Sequence, residues 1–171
     1  MHLPIGPLLR PRLFCSMHGA FPPPRPILIL LAEDDTRDAE LFQHAIHRAH
    51  VPLLIRHVCD GQEAIDYLRG VGPYADRSLY PLPDVLVLDL KMPRLDGLRV
   101  LDWLREHPDC SQLPTLMLSG SGLAQDVQEA YRRGVRTYFA KPNDFQKLQD
   151  LVRLIAGYWS TSERPATPSR C

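Results

Sequence analysis

The chain has 171 residues, 44% hydrophobic and 23% charged, with twenty acidic side chains against twenty basic ones. That mixture suits one folded domain with a proper core and excludes a wholly disordered chain. The charge balance gives no electrostatic footing for nucleic acid or an anionic membrane as partner, and no apolar run reaches the ~20 residues that span a bilayer.

Residues 1–25 are rich in proline and arginine, from LLRPRLF to FPPPR. The stretch lacks the apolar centre and cleavage site of a secretory signal. Its prolines fix φ and remove donors, so it is expected to be an extended or disordered leader, with Met17 an alternative start. The four cysteines, Cys15, Cys59, Cys110 and Cys171, have no CxxC spacing and read as free thiols of a reducing cytoplasm.

From Pro26 strands and helices alternate. ILILLA (Ile27–Ala32), VLVL (Val85–Leu88) and TLMLS (Thr115–Ser119) are continuous apolar runs, the pattern of parallel strands covered on both faces. LLIRHV (Leu53–Val58) and RTYFA (Arg136–Ala140) are more polar and belong at sheet edges. Helical spacing of apolar residues predicts helices over Asp38–Ala49, Gly61–Arg69, Gly97–His107, Leu123–Arg133 and Asp144–Trp159. In the fourth, Val127, Ala130 and Tyr131 share the apolar face, and Gly134 supplies an end cap. The domain is expected to cover residues 26–159, with a polar tail over 160–171.

Five β-α units with three buried and two polar strands constrain the topology. The expected fold is a flavodoxin-like, doubly wound five-stranded parallel sheet, order 2-1-3-4-5, with five helices. Its ligand crevice lies where the strand order reverses, between the first and third strands. Glu33, Asp34 and Asp35 follow the first strand, and Asp89 follows the third.

Carboxylates this close cannot all stay ionised without a cation, and a hard divalent ion, Mg²⁺ above all, removes the conflict. Asp34 and Asp89 are the candidate direct ligands, Glu33 a ligand through water, and the Lys91 carbonyl a fourth point. Ser119 and Lys141, at the ends of the fourth and fifth strands, offer a hydroxyl and a positive charge to a phosphate. A carboxylate beside Mg²⁺ and lysine can act as a nucleophile on phosphorus, and Asp89 is the candidate. Each residue also has a plainer role. Acids after a strand can serve a helix N-terminus, with Asp35 as its cap. Lys141 alone could be a solvated lysine, Tyr138 an edge-strand aromatic, and Asp96 a turn or cap residue. The seven histidines show no metal-ligand spacing.

ILLAEDD, VLVLDLKMPRLDGL, PTLMLSGSG and TYFAKP, in this order, resemble the receiver domain of two-component response regulators. The resemblance implies a phosphoacceptor at Asp89, metal binding by Glu33, Asp34, Asp89 and the Lys91 carbonyl, phosphate contacts from Ser119 and Lys141, and a switch aromatic at Tyr138. The long connection after Arg69, GVGPYADRSLYPLP, and the final FQKLQDLVRLIAGYW look like single-domain receivers that pair with phytochrome-type kinases. The expected partners are a sensor histidine kinase and an unidentified downstream protein, without nucleic acid or membrane. Too few residues follow Trp159 for a DNA-binding or catalytic module, so output is expected through protein contact or phosphate relay.

Two rival readings remain. A phosphatase of the haloacid-dehalogenase type also uses a strand-end aspartate with Mg²⁺, but wants a second aspartate where Lys91 stands. A phosphate-independent interaction module would leave the acidic site idle. In the last helix, Leu151, Val152, Leu154 and Ile155, with Tyr158 and Trp159, make an apolar surface wide enough to suggest a homodimer face.

Overall fold

The computed structural model describes residues 26–161. The leader with its FPPPR run, Met17, Cys15, Cys171 and the tail beyond 161 lie outside the described residues. Five strands, β1 (Ile27–Ala32), β2 (Leu53–Val58), β3 (Val85–Leu88), β4 (Thr115–Ser119) and β5 (Thr137–Ala140), alternate with α1 (Thr36–Ala49), α2 (Gly61–Arg69), α3 (Gly97–Glu106), α4 (Ala124–Arg132) and α5 (Phe145–Thr161). All pairings are parallel, in the order β2-β1-β3-β4-β5, the order expected from the apolar runs.

The period-two geometry of a strand explains how one sheet fills two cores. Ile27, Ile29, Leu31, Val85, Val87, Leu116 and Leu118 face the layer of α1 and α5. The alternate residues, Leu30, Ala32, Leu86, Leu88 and Met117, face α2, α3 and α4. Both sides are therefore apolar in the three inner strands, while β2 and β5 keep exposed or half-exposed positions as edges.

Helix starts follow the acids. Asp35 caps α1 by accepting from Arg37 N, so the helix begins at Thr36, two residues before the apolar spacing predicts. Asp60 caps α2 through Glu63 N and also pairs with Arg94 at 2.9 Å, tying the loop after β3 to α2. Asp96 caps α3 through Arg99 N, the cap role open to it in the sequence.

Three departures have physical causes. Tyr131 is 48% exposed and does not join the apolar face of α4. β5 is an edge strand whose outer N–H groups lack a strand partner, and the Tyr131 hydroxyl accepts from Tyr138 N at 3.2 Å. The connection after α2 is ordered by a short 3₁₀ turn, Gly72–Tyr74, and by Tyr67, Tyr74 and Tyr80, whose rings meet at 5.2–6.0 Å. Arg77 reaches back to the Tyr67 and Leu68 carbonyls at the end of α2, adding to the bond that the capping Gly70 N–H makes to the Tyr67 carbonyl. Finally, α5 buries Leu151, Val152, Ile155, Ala156 and Trp159 in the core. Of the apolar residues singled out in this helix, Leu154 and Tyr158 stay outside, 59% and 57% exposed, a narrower surface than the sequence suggests.

Candidate functional site

The site lies at the carboxyl ends of β1, β3, β4 and β5, where the chain leaves the sheet in opposite directions from β1 and β3. Glu33 follows β1 directly, and its N–H donates to the Val58 carbonyl at 3.0 Å. The Glu33 carbonyl lies 2.7 Å from His57 Nε2; a carbonyl only accepts, so that nitrogen carries the proton. Asp89 follows β3, with its N–H on the Ala32 carbonyl at 2.9 Å. These bonds extend the sheet by one residue past the strand ends and fix both carboxylates at its mouth.

Glu33 is 2% and Asp89 7% exposed, unusual burial for carboxylates, whereas Asp34 is exposed. One oxygen from each of the three lies within 4.8 Å of the others. The Lys141 ammonium stands against this cluster, 2.6 Å from Glu33 Oε2, 3.3 Å from Asp89 Oδ2 and 2.8 Å from Asp38 Oδ2. Asp89 Oδ1 accepts from Leu90 N at 2.6 Å. Burial pushes the Glu33 carboxyl up to about 7, against the pull of its hydrogen bond to Lys141. Burial also works to lower Lys141, but hydrogen bonds to Asp38 and Glu33 outweigh it and hold the amine above its ordinary value. Glu33, Asp38 and Asp89 thus share the Lys141 ammonium, and Asp34 adds a further carboxylate beside Glu33 and Asp89. An acidic excess held on oxygen donors this close fits a hard divalent cation.

Ser119, 1% exposed, ends β4. Its carbonyl accepts from Lys141 N at 2.8 Å, and its hydroxyl oxygen accepts from Ser121 N at 3.2 Å. The Ser121 carbonyl in turn accepts from the half-buried Tyr138 hydroxyl at 2.7 Å. Ser121 also donates its hydroxyl to Asp126 in α4. Ser119, Ser121 and Tyr138 are therefore linked from the site mouth to β5. Lys91 is exposed, and its side chain borders an open hollow shared with Asp96 and Asp126.

Of the residues the sequence singles out, the structure brings together Glu33, Asp34, Asp89 and Lys141, and it links Ser119 to Tyr138 through Ser121. The sequence reading misses Asp38 and His57. Asp38 is the third residue of α1, where an acid usually serves the helix N-terminus. Asp34 precedes the Asp35 cap and lies outside α1, so no helical spacing ties it to Asp38 and no local signal marks that residue. His57, in the edge strand, carries no motif.

The profile of the response regulator receiver domain matches residues 29–153. Response regulator Rcp1 of Synechocystis is 30% identical over 134 residues, spanning 78% of this chain and 89% of its own. A solved structure of Rcp1 in its Mn²⁺-bound form has a TM-score of 0.72 and covers 82% of this chain and 100% of that one. Response regulator RPA3017 of R. palustris, described in red light signaling, is 34% identical with a TM-score of 0.78, covering 82% of this chain and 99% of that one. The phosphorylated cyanobacterial phytochrome response regulator RcpA is also 34% identical, at 0.74 and the same coverage. With a profile match over most of its length and relatives sharing both fold order and near-full coverage, the chain belongs to the response regulator receiver domain family.

Proposed function

We propose that this receiver takes a phosphoryl group on Asp89 from a sensor histidine kinase of the phytochrome type. The observation that carries the reading is the meeting of three carboxylates within 4.8 Å beside the Lys141 ammonium. The red-light and phytochrome regulators among its structural relatives support the kinase class. Asp34 and Asp89, with Glu33 through water and the Lys91 carbonyl, would hold Mg²⁺. Bound there, the ion would supply charge neutralisation to the phosphoryl oxygens.

An Asp89 oxygen attacks phosphorus, the P–N bond of the donor phosphohistidine breaks, and the imidazole nitrogen leaves with the electron pair. Lys141 faces charge on the transferring oxygens. Leu90 N, already bonded to Asp89 Oδ1, holds the other carboxylate oxygen and orients the attacking one. The Ser119 hydroxyl turns from Ser121 N toward the new phosphate. That turn loosens the loop whose Ser121 carbonyl holds the Tyr138 hydroxyl, so Tyr138 moves and the face of α4, β5 and α5 changes for a downstream protein. Phosphate shifts this balance by its differential affinity for the two arrangements.

Receiver domains are signalling domains, and Lys91 stands where a dehalogenase-type phosphatase wants its second aspartate. Among the described residues no helix is long and apolar enough to cross a membrane, and a cytoplasmic site of action follows from partnership with a kinase domain. The test is incubation of the full chain with acetyl phosphate. One phosphoryl mass should be added in Mg²⁺, absent with chelator and removed by hydroxylamine, which cleaves acyl phosphates. A label that ignores metal or resists hydroxylamine would overturn the reading.

A homodimer through α5 is a second reading, favoured by Leu154 and Tyr158, exposed one turn apart on one flank. Light scattering at tens of micromolar should give a dimer for the native chain and a monomer for Leu154→Glu. A native monomer at that concentration removes the idea.

A further inference from the structure

We propose that Asp38 is a positioning residue for phosphoryl transfer, holding one donor of Lys141 so that the amine stays aimed at Asp89; this rests on the reading of Asp89 as acceptor. An ammonium has three N–H donors, and those of Lys141 have three carboxylate partners, Glu33, Asp38 and Asp89. Two of these belong to the acidic trio that suits a divalent cation. Asp38 does not, so its bond at 2.8 Å is independent of what the trio holds.

Both ends of this bridge are fixed. Asp38 sits in the first turn of a helix that Asp35 caps, and α1 packs against α5 in one core. Lys141 is held by its own N–H on the Ser119 carbonyl. What is not fixed is the four-carbon stem between backbone and amine. Beside it lies a cavity of about 60 Å³, walled by Leu31, Phe42, Leu118, Pro142 and Leu148 as well as by the charged groups. A stem released from Asp38 has room to swing into that space or out to solvent, and each such rotamer takes the amine off line. The Asp38 bond removes this freedom before the donor arrives, leaving two N–H groups for the phosphoryl oxygens.

The test uses the full chain and acetyl phosphate in Mg²⁺. An Asp89 oxygen forms the new P–O bond, the bond from phosphorus to the acetyl oxygen breaks, and acetate leaves with the electron pair. Asp38→Ala should lower the second-order rate of phosphorylation roughly tenfold, a fraction of the ~100-fold that a 1 Å misplacement can cost. Asp38→Asn keeps an acceptor oxygen and should recover most of that loss. Mg²⁺ affinity should change by less than about twofold, because Asp38 is outside the trio. In the metal-free protein, the Lys141 ammonium ¹⁵N signal should be protected from solvent exchange in the native and Asn forms and lost in the Ala form. An Ala variant at the native rate overturns the proposal, and so does an Asn variant as slow as Ala, which would make charge the cause. A collapse of Mg²⁺ affinity in Asp38→Ala also overturns it. Failure of the native chain to take label, or label persisting in Asp89→Asn, would instead sink the reading beneath it.

Discussion

Asp89→Asn should leave the fold intact and bring phosphoryl uptake, from kinase or acetyl phosphate, down to background. The substitution keeps shape. An asparagine oxygen can still accept from Leu90 N, which lies 2.6 Å from Asp89 Oδ1, and the backbone bond to Ala32 is untouched. What it removes is a nucleophilic oxygen and one negative charge. The amide oxygen carries less charge than a carboxylate, and an imidate ester formed on it would not be an acyl phosphate. The charge matters for stability as well. Three carboxylates, Glu33, Asp38 and Asp89, share the Lys141 ammonium, and Asp89 is among the groups that raise Glu33. Deleting one of the repelling charges relieves the cluster, so thermal melting of the metal-free variant should occur at or above the native temperature. With Mg²⁺ present the comparison reverses. A direct ligand is lost, and affinity should fall by more than the roughly tenfold that loss of an outer-shell partner can cost. Gel mobility of the phosphorylated form and a metal titration followed by melting temperature check both halves. Uptake by the Asn variant at the native rate would move the acceptor elsewhere, with exposed Asp34 the first residue to examine.

The sheet was legible in the sequence because its signals are local. ILILLA, VLVL and TLMLS are apolar on both faces, and no arrangement of helices on one side alone would cover them. From the three buried strands the order followed, and from the order the crevice that joins Glu33 and Asp34 to Asp89. What was not legible depends on contacts between distant residues. The tyrosine cluster after α2 is one case: Tyr74 and Tyr80 read as loop residues until Tyr67, buried at 1% exposure, gives them a surface to pack on. Tyr131 is another, since helical spacing marks it as apolar while its hydroxyl serves a strand edge. Trp159 is a third. Its place beyond the wide apolar stretch Leu151–Ile155 suggested a surface for a partner, but the core between α1, α5 and the sheet extends far enough to cover it. Asp38 failed for a different reason, because an acid in the first turn of a helix already has a sufficient local explanation. Its bond to Lys141 spans 103 positions of sequence.

Gly97→Ala should be more damaging than its one methyl suggests, and should damage the site along with the fold. Gly97 opens α3, and its N–H donates to the Leu90 carbonyl at 3.0 Å. This bond folds the loop DLKMPRLDG back on its own start, so that the helix begins against the Asp89 backbone. A Cβ at position 97 would overlap the Asp89 carbonyl oxygen and lie 3.2 Å from Leu90 Cα. Both obstacles are backbone, and neither can rotate away as a side chain could. The helix is pinned in turn by its Asp96 cap and by buried Val100, Leu101 and Leu104. The strain is therefore divided between lost packing in α3 and displacement of Asp89. Overpacking of this kind costs about 2–3 kcal/mol, or a fall of about 10 °C in melting temperature for a domain of this size. Any share of the shift that reaches Asp89 acts on the proposed nucleophile, whose line of approach tolerates little, so the folded fraction should also phosphorylate at least roughly tenfold more slowly. Gly157→Ala is the matched control. It lies inside α5 with nothing within 4 Å of the added methyl, and should raise stability by about 0.5–1 kcal/mol through helix propensity without touching the rate. Melting curves and labelling rates on the two variants separate steric displacement of the acceptor from a general effect of replacing glycine. A Gly97→Ala protein that melts and phosphorylates as the native chain does would mean that the approach of α3 to the Asp89 backbone is looser than the structure describes.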